Sequence, residues 1–162
     1  DIVKFACSVK PDQATLVPER RKELTTEGGL DVRANIVQIR SVVSALKSCG
    51  IDVSLFIGPV KAEIDASAKA GARIIELHTG EYANAISGAE RKKELDKLAS
   101  SARYALSLGL EVNAGHGLDY DNVKPVSGIK GMNELNIGYS IISRSIFVGL
   151  GRAVEEMLDL VR

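Results

Sequence analysis

Short apolar runs recur along the chain, each followed by polar or glycine-rich residues and then by a helical pattern. The runs are Gln13–Val17, Val53–Ile57, Ile74–Leu77, Leu110–Ala114 and Leu135–Ile137. Most read as near-continuous rather than alternating, the pattern of parallel strands covered by helices. From Asp31, apolar residues fall at Val32, Ile36, Ile39, Val43 and Leu46, the 4-3-4-3 spacing of one helix face. Asp31 reads as its N-cap and Gly50 stands just past its end. Pro59 opens a shorter helix that closes at Gly71, and Leu95, Leu98, Ala102 and Ala105 mark another that closes at Gly109. Ile146, Leu150, Ala153, Met157 and Leu160 repeat the spacing in one final helix. Gly149-Leu150-Gly151 falls inside that helix. It lacks the third glycine of a dinucleotide fingerprint, and close helix packing accounts for it.

Three helix-ending glycines run directly into strands, in Gly50-Ile51-Asp52, Gly71-Ala72-Arg73 and Gly109-Leu110-Glu111. The order is then a helix followed by five strand–helix units. Right-handed crossovers lay such strands side by side in one parallel sheet. Two α/β architectures satisfy this, an open doubly wound sheet or a piece of a (β/α)8 TIM barrel. A whole barrel takes about 250 residues, so 162 residues hold roughly five of its eight units. Residues 1–162 are expected to form a single domain without an internal linker. Asp1 opens in mid-helix pattern with no methionine, as in a fragment or a processed chain.

Composition narrows the function classes. The chain is 45% hydrophobic and 26% charged, ordinary for a soluble globular domain. With 21 basic and 21 acidic residues, bulk electrostatics favours neither nucleic acid nor an acidic membrane. No apolar run approaches the ~18 residues of a membrane span, and no signal peptide is visible. A cytoplasmic protein is expected, and Cys7 and Cys49 read as buried reduced thiols rather than a disulfide framework.

In either architecture the chemistry sits at the carboxyl ends of the strands. After the first run comes the charged stretch from Pro18 to Gly29, with hydroxyls at Thr25 and Thr26 and paired glycines. It reads either as a solvated loop or as a lid whose threonines bind an anion and whose glycines are hinges. After the third run comes Glu76-Leu77-His78-Thr79-Gly80. A glutamate inside an apolar strand is costly unless it is ion-paired or functional. After the fourth run, His116 lies between Gly115 and Gly117, where backbone can approach a ligand and the imidazole can act as acid or base. After the fifth, Asn136-Ile137-Gly138-Tyr139-Ser140 opens a helix with amide donors for an anion. His78 and His116 are the only histidines, too few for a zinc site.

Taken in order, these segments resemble the pyridoxine 5′-phosphate synthase family. Leu16-Val17-Pro18-Glu19 with Thr25-Thr26-Glu27-Gly28-Gly29-Leu30-Asp31-Val32 resembles the family's fourth-strand region. Val53–Ile57, Glu76–Gly80, Val112–Leu118 and Glu134–Gly138 resemble its strands five to eight. The resemblance implies the C-terminal part of a (β/α)8 barrel whose first three units lie outside this sequence. It also implies a cytoplasmic homo-octamer, using no metal or organic cofactor. The implied reaction joins 1-deoxy-D-xylulose 5-phosphate to 3-amino-2-oxopropyl phosphate, releasing phosphate and water. By position His116 corresponds to the family's proton donor and Glu76 to the glutamate that assists charged intermediates. Thr25 corresponds to a contact with the deoxyxylulose phosphate, and Gly117, Gly138 and Tyr139 to contacts with the amino-ketone phosphate. Tyr139 stands where the family commonly has histidine. The strands outside this sequence carry, in the family, a further histidine and glutamate for acid–base work. Other barrel enzymes that process phosphosugars share the phosphate grip but not this series of motifs. A non-catalytic phosphate-binding fragment is the remaining alternative.

Overall fold

A computed structural model describes residues 2–18 and 28–162. Their elements, in order, are α1 (Ile2–Val9), β1 (Gln13–Leu16), α2 (Ile36–Ser48), β2 (Asp52–Ile57), α3 (Lys61–Ala70) and β3 (Ile74–His78). There follow α4 (Gly80–Asn84), α5 (Gly88–Ser107), β4 (Glu111–Gly115), α6 (Val123–Ser127), β5 (Met132–Asn136), α7 (Tyr139–Val148) and α8 (Leu150–Val161). The strands form one parallel sheet in the order β1-β2-β3-β4-β5.

Register explains which side chains meet. Leu16, Leu55, Ile75, Val112 and Met132 fall in one row, and Ile57, Leu77, Ala114 and Leu135 in the next. These residues belong to, or pack against, the core that the helices complete with Ile39, Val43, Leu46, Ile64, Leu98 and Ala102. The opposite face is largely polar. Thr15, Ser54, Ile74 and Glu111 share a row there, then Phe56, Glu76, Asn113 and Glu134, then His78, Gly115 and Asn136. The strands therefore do alternate; Phe56 and Ile74 are the apolar exceptions that make the runs look continuous in sequence. A doubly wound sheet has helices on both faces and a reversal in strand order. Here the order never reverses and the apolar core lies on one face, which is the geometry of a (β/α)8-barrel wall five units wide.

The helices end as their glycines require, with Gly50, Gly71 and Gly109 all at positive φ. Some starts and stops differ from the sequence reading, and α3 begins at Lys61 rather than at Pro59. α2 begins at Ile36 rather than at Asp31, because Asp31 Oδ1 accepts the Ala34 amide at 2.9 Å and holds residues 32–35 in a turn. The final helix is broken in two at Gly149, where φ 83° and ψ 152° lie outside any helical conformation. A β-carbon at Gly149 or Gly151 would meet nothing within 4 Å, so close packing is not the reason for these glycines. Gly149 is there for its backbone conformation.

Gly29 and Leu30, ahead of α2, are fastened to β2. The Leu30 amide donates to the Phe56 carbonyl at 2.8 Å. The backbones of Gly29 and β2 are so close that a β-carbon on Gly29 would lie 2.5 Å from the Ile57 carbonyl carbon. Glu63, buried on α3, accepts the Val32 amide at 2.8 Å and the Arg33 amide at 3.3 Å. Burial nonetheless pushes its carboxyl pKa up, since two amides only partly replace water.

Cys7 of α1 and Cys49 at the end of α2 are joined as a disulfide, not reduced thiols. Helical packing brings their Cα atoms to 5.4 Å across 42 residues of sequence, a separation that carried no signal. A cross-link closing a loop of that length stabilises mainly by restricting the unfolded chain. Cys7→Ser should lower the unfolding free energy by about 2–4 kcal/mol in denaturant titrations. A loss below about 0.5 kcal/mol would mean that the link is not formed in solution.

β1 and β5 each pair on one side only among the described residues. Ile142, Ile146, Phe147 and Leu150 of α7 and α8 are also exposed. The 162-residue chain produced alone should therefore associate or aggregate, since unpaired strand edges and apolar patches seek partners. Sedimentation velocity is the check, and a cooperatively melting monomer would contradict this.

Candidate active site at the carboxyl ends of the strands

The ends of β2 to β5 and the start of α7 surround a cavity of about 1040 Å3. Its lining includes Glu76, His116, Gly117, Gly138 and Tyr139, so five of the six residues singled out in the sequence meet in one place. Thr25 lies outside the described residues.

Glu76 comes from the polar face of β3 and is 8% exposed. Its Oε2 accepts the Asn136 side-chain amide at 2.9 Å. Burial holds its carboxyl above the usual carboxylate range, more than the Asn136 hydrogen bond lowers it, and the nearby Glu134 charge adds to the rise. Gly115 is what makes room for it: a β-carbon there would overlap Glu76 Oε1. The first glycine of the Gly115-His116-Gly117 turn thus accommodates the carboxylate.

His116 follows β4 in a left-handed conformation, φ 85°, which a residue bearing a β-carbon adopts only when its surroundings impose it. Thr79 supplies that constraint. Its amide donates to the Gly115 carbonyl at 2.9 Å. Its hydroxyl lies 2.7 Å from that same oxygen and 2.6 Å from the His116 carbonyl. The imidazole is thereby left exposed at the cavity, stacked on His78 with ring centroids 4.6 Å apart.

At the other wall, α7 starts at Tyr139 with Gly138 as N-cap and no side chain capping its first amides. Those donors, with the positive end of the helix dipole, suit an anion. The Ser140 hydroxyl is committed to the Leu118 carbonyl at 2.9 Å, tying this helix start to the loop after β4. Tyr139 is 91% exposed, so its phenol, unlike its amide, is not fixed by packing. Arg144 borders the same cavity but is paired with Glu156 at 2.9 Å.

Asn136, Thr79 and Phe56 escaped the sequence reading as site residues. Asn136 could have been found from strand parity, since it lies on the same polar face as Glu76. The Thr79 contacts cross from β3 to the turn after β4, and no local pattern encodes them. Among the described residues no cluster of three or more His, Cys, Asp or Glu side chains could hold a metal ion. No helix among them is long and apolar enough to cross a membrane.

The likenesses to known proteins agree with this geometry. A pyridoxine 5′-phosphate synthase of Synechococcus sp. (strain JA-2-3B'a(2-13)) is 59% identical over 157 residues, covering 97% of this chain and 66% of that protein. One from Coxiella burnetii (strain Dugway 5J108-111) is 52% identical over 161 residues, covering 99% and 67% respectively. The chain thus spans about two thirds of the length of these relatives. Among solved structures, KGPDC from Streptococcus mutans superposes with a TM-score of 0.66 at 17% identity, over 99% of this chain and 66% of that one. The tryptophan synthase alpha-subunit from Pyrococcus furiosus gives 0.63 at 16%, over 98% and 61%. At such identities these structures speak for the fold alone. The family described as pyridoxal phosphate biosynthesis protein PdxJ matches residues 1–162, and the chain belongs to that family.

Proposed function

We propose that this chain is the C-terminal part of a pyridoxine 5′-phosphate synthase, supplying strands four to eight of the barrel as one domain. The remaining three units come from the rest of a longer polypeptide. That enzyme joins 1-deoxy-D-xylulose 5-phosphate to 3-amino-2-oxopropyl phosphate and closes the pyridine ring, releasing phosphate and water. It works in the cytoplasm as a homo-octamer, without a metal or organic cofactor. The observation that carries the reading is the convergence of Glu76, His116 and the α7 amides on one cavity in a chain 59% identical to a named synthase. The polar face of the sheet supports the longer polypeptide. Ser54 Oγ and Asn113 Nδ2 are buried there with no hydrogen-bond partner among the described residues. Buried polar groups are almost always satisfied, and side chains or waters across a closed barrel would do so.

The chemistry follows from the groups present. Joining an amine to a ketone and then losing water needs a proton delivered to each departing oxygen. His116, exposed at the cavity on a fixed backbone, is the donor. The carbon–nitrogen intermediates carry positive charge, and Glu76 is a carboxylate that burial has left short of water. A cation formed beside it gains more than it would in bulk solvent. The amides of Gly117, Gly138 and Tyr139 receive the amino-ketone phosphate, and Thr25 receives the deoxyxylulose phosphate. Other phosphosugar-processing barrels share the fold, but no observation favours them over the synthase.

Formation of pyridoxine 5′-phosphate by the complete polypeptide tests the reading directly. His116→Asn should lower turnover by about 10²–10⁴-fold with the fold intact. Retention of activity within about tenfold would remove His116 from the proton-donor role.

Glu76→Gln should lower turnover by about 10²-fold yet raise the melting temperature at neutral pH. The folded-state pKa of Glu76 lies above its unfolded value. Its stabilising contribution is therefore complete below the unfolded value and is lost as pH rises through the folded one. The melting-temperature advantage of the variant should accordingly be absent at acid pH and grow above the ordinary carboxylate range. A gap that is constant with pH would contradict the assigned cause.

A further inference from the structure

We infer that His78 is a positioning residue for the reaction, holding the His116 imidazole in its working orientation. The inference rests on the reading of His116 as proton donor. It concerns a residue that lies outside the groups assigned to proton transfer or substrate binding.

The His78 ring sits in a space made for it. A β-carbon on Gly28 would come within 2.9 Å of its Cε1 and 3.0 Å of its Nε2, and one on Gly80 would overlap Cε1. Phe56 presents to it edge-on, with centroids 5.2 Å apart and planes at 69°. One face of the ring is covered by His116, at 4.6 Å and 27°. Phe56 and His116 are themselves 6.4 Å apart, which makes a three-ring group at the ends of β2, β3 and β4. A ring confined between two glycines and an aromatic edge has little freedom, so it can lend its orientation to the exposed ring stacked on it.

Hydrogen bonding adds to the hold on His78. The Gly80 amide donates to His78 Nδ1 at 3.3 Å. That contact ties the ring's Nδ1 to the backbone that follows β3. His78 and Thr79 are consecutive, and they grip one residue from two sides. Thr79 fixes the His116 backbone through its carbonyl, and His78 fixes the ring. A proton donor displaced by about 1 Å can lose 10²-fold in rate, so the ring platform bears on turnover more than on substrate affinity.

The test uses the complete polypeptide with His78→Ala, which removes the platform, and His78→Phe, which keeps a flat ring but has no nitrogen. Ala should lower kcat by about 10- to 100-fold while both KM values stay within about threefold, and Phe should restore most of the loss. NMR of the ligand-free protein gives a readout independent of turnover. The His116 ring protons should be shifted upfield by the stack in the wild type and in His78→Phe. An unshifted His116 ring in the wild type would overturn the inference, and this remains decidable should His78→Ala fail to fold. It would also be overturned by His78→Ala with kcat within about twofold of wild type, or by His78→Phe as slow as Ala, which would assign the nitrogen a proton-transfer role. Full turnover by His116→Asn would instead defeat the proton-donor reading, leaving the stack itself to be judged by the ring shifts.

Discussion

A strand offers alternate side chains to opposite faces, and five parallel strands in register turn that alternation into rows across a whole sheet. In this chain one set of rows is apolar. Leu55, Ile75 and Val112 lie side by side, as do Ile57, Leu77 and Ala114, and both rows are sealed under helices. The other set is then committed to the opposite face whatever its chemistry. Glu76, Asn113 and Asn136 owe their placement to this constraint, because slipping any strand by one residue would put carboxylates and amides into the hydrocarbon core. Burial of the Leu, Ile and Val rows, each side chain worth roughly 1.5–3 kcal/mol, is what holds costly polar groups on the inner wall.

The site is built where those rows run out. Past the last paired residues the backbone must turn, and here the turns are fitted to one another. Gly115 clears space for the Glu76 carboxylate, Thr79 pins the left-handed His116, and Ser140 ties the start of α7 to the loop after β4. None of these contacts is within one element. Each joins the end of one strand–helix unit to the next, so the cavity is a property of neighbouring units rather than of any single motif.

Much of this was legible in the sequence, for a definable reason. Strand and helix patterns depend on spacing within a few residues, and the first four strands fall within about two residues of their apolar runs. β5 starts three residues earlier than its run, at Met132, because Asn133 and Glu134 face the polar side and interrupt the hydrophobic signal. The break at Gly149 was hidden because the apolar spacing of α7 continues into α8, and periodicity does not register one positive φ. Glu76 and His116 were recognisable as misfits, a carboxylate in a strand and an imidazole between glycines. Their partners were not, since Asn136 lies 60 residues from Glu76 and Thr79 37 residues from His116. Pairings at such range are set by sheet register, which no local pattern contains.

The link between Cys7 and Cys49 has one more consequence. It closes a covalent ring that contains β1, the following connection and all of α2, so the polypeptide is not a simple linear thread over this span. A single peptide-bond cut anywhere from residue 8 to residue 48 opens the ring without parting the molecule. The flank carrying α1 stays attached to the flank carrying β2 until the sulfur bond is also broken. The connection between β1 and α2 can therefore be nicked without either neighbouring unit being lost from the wall.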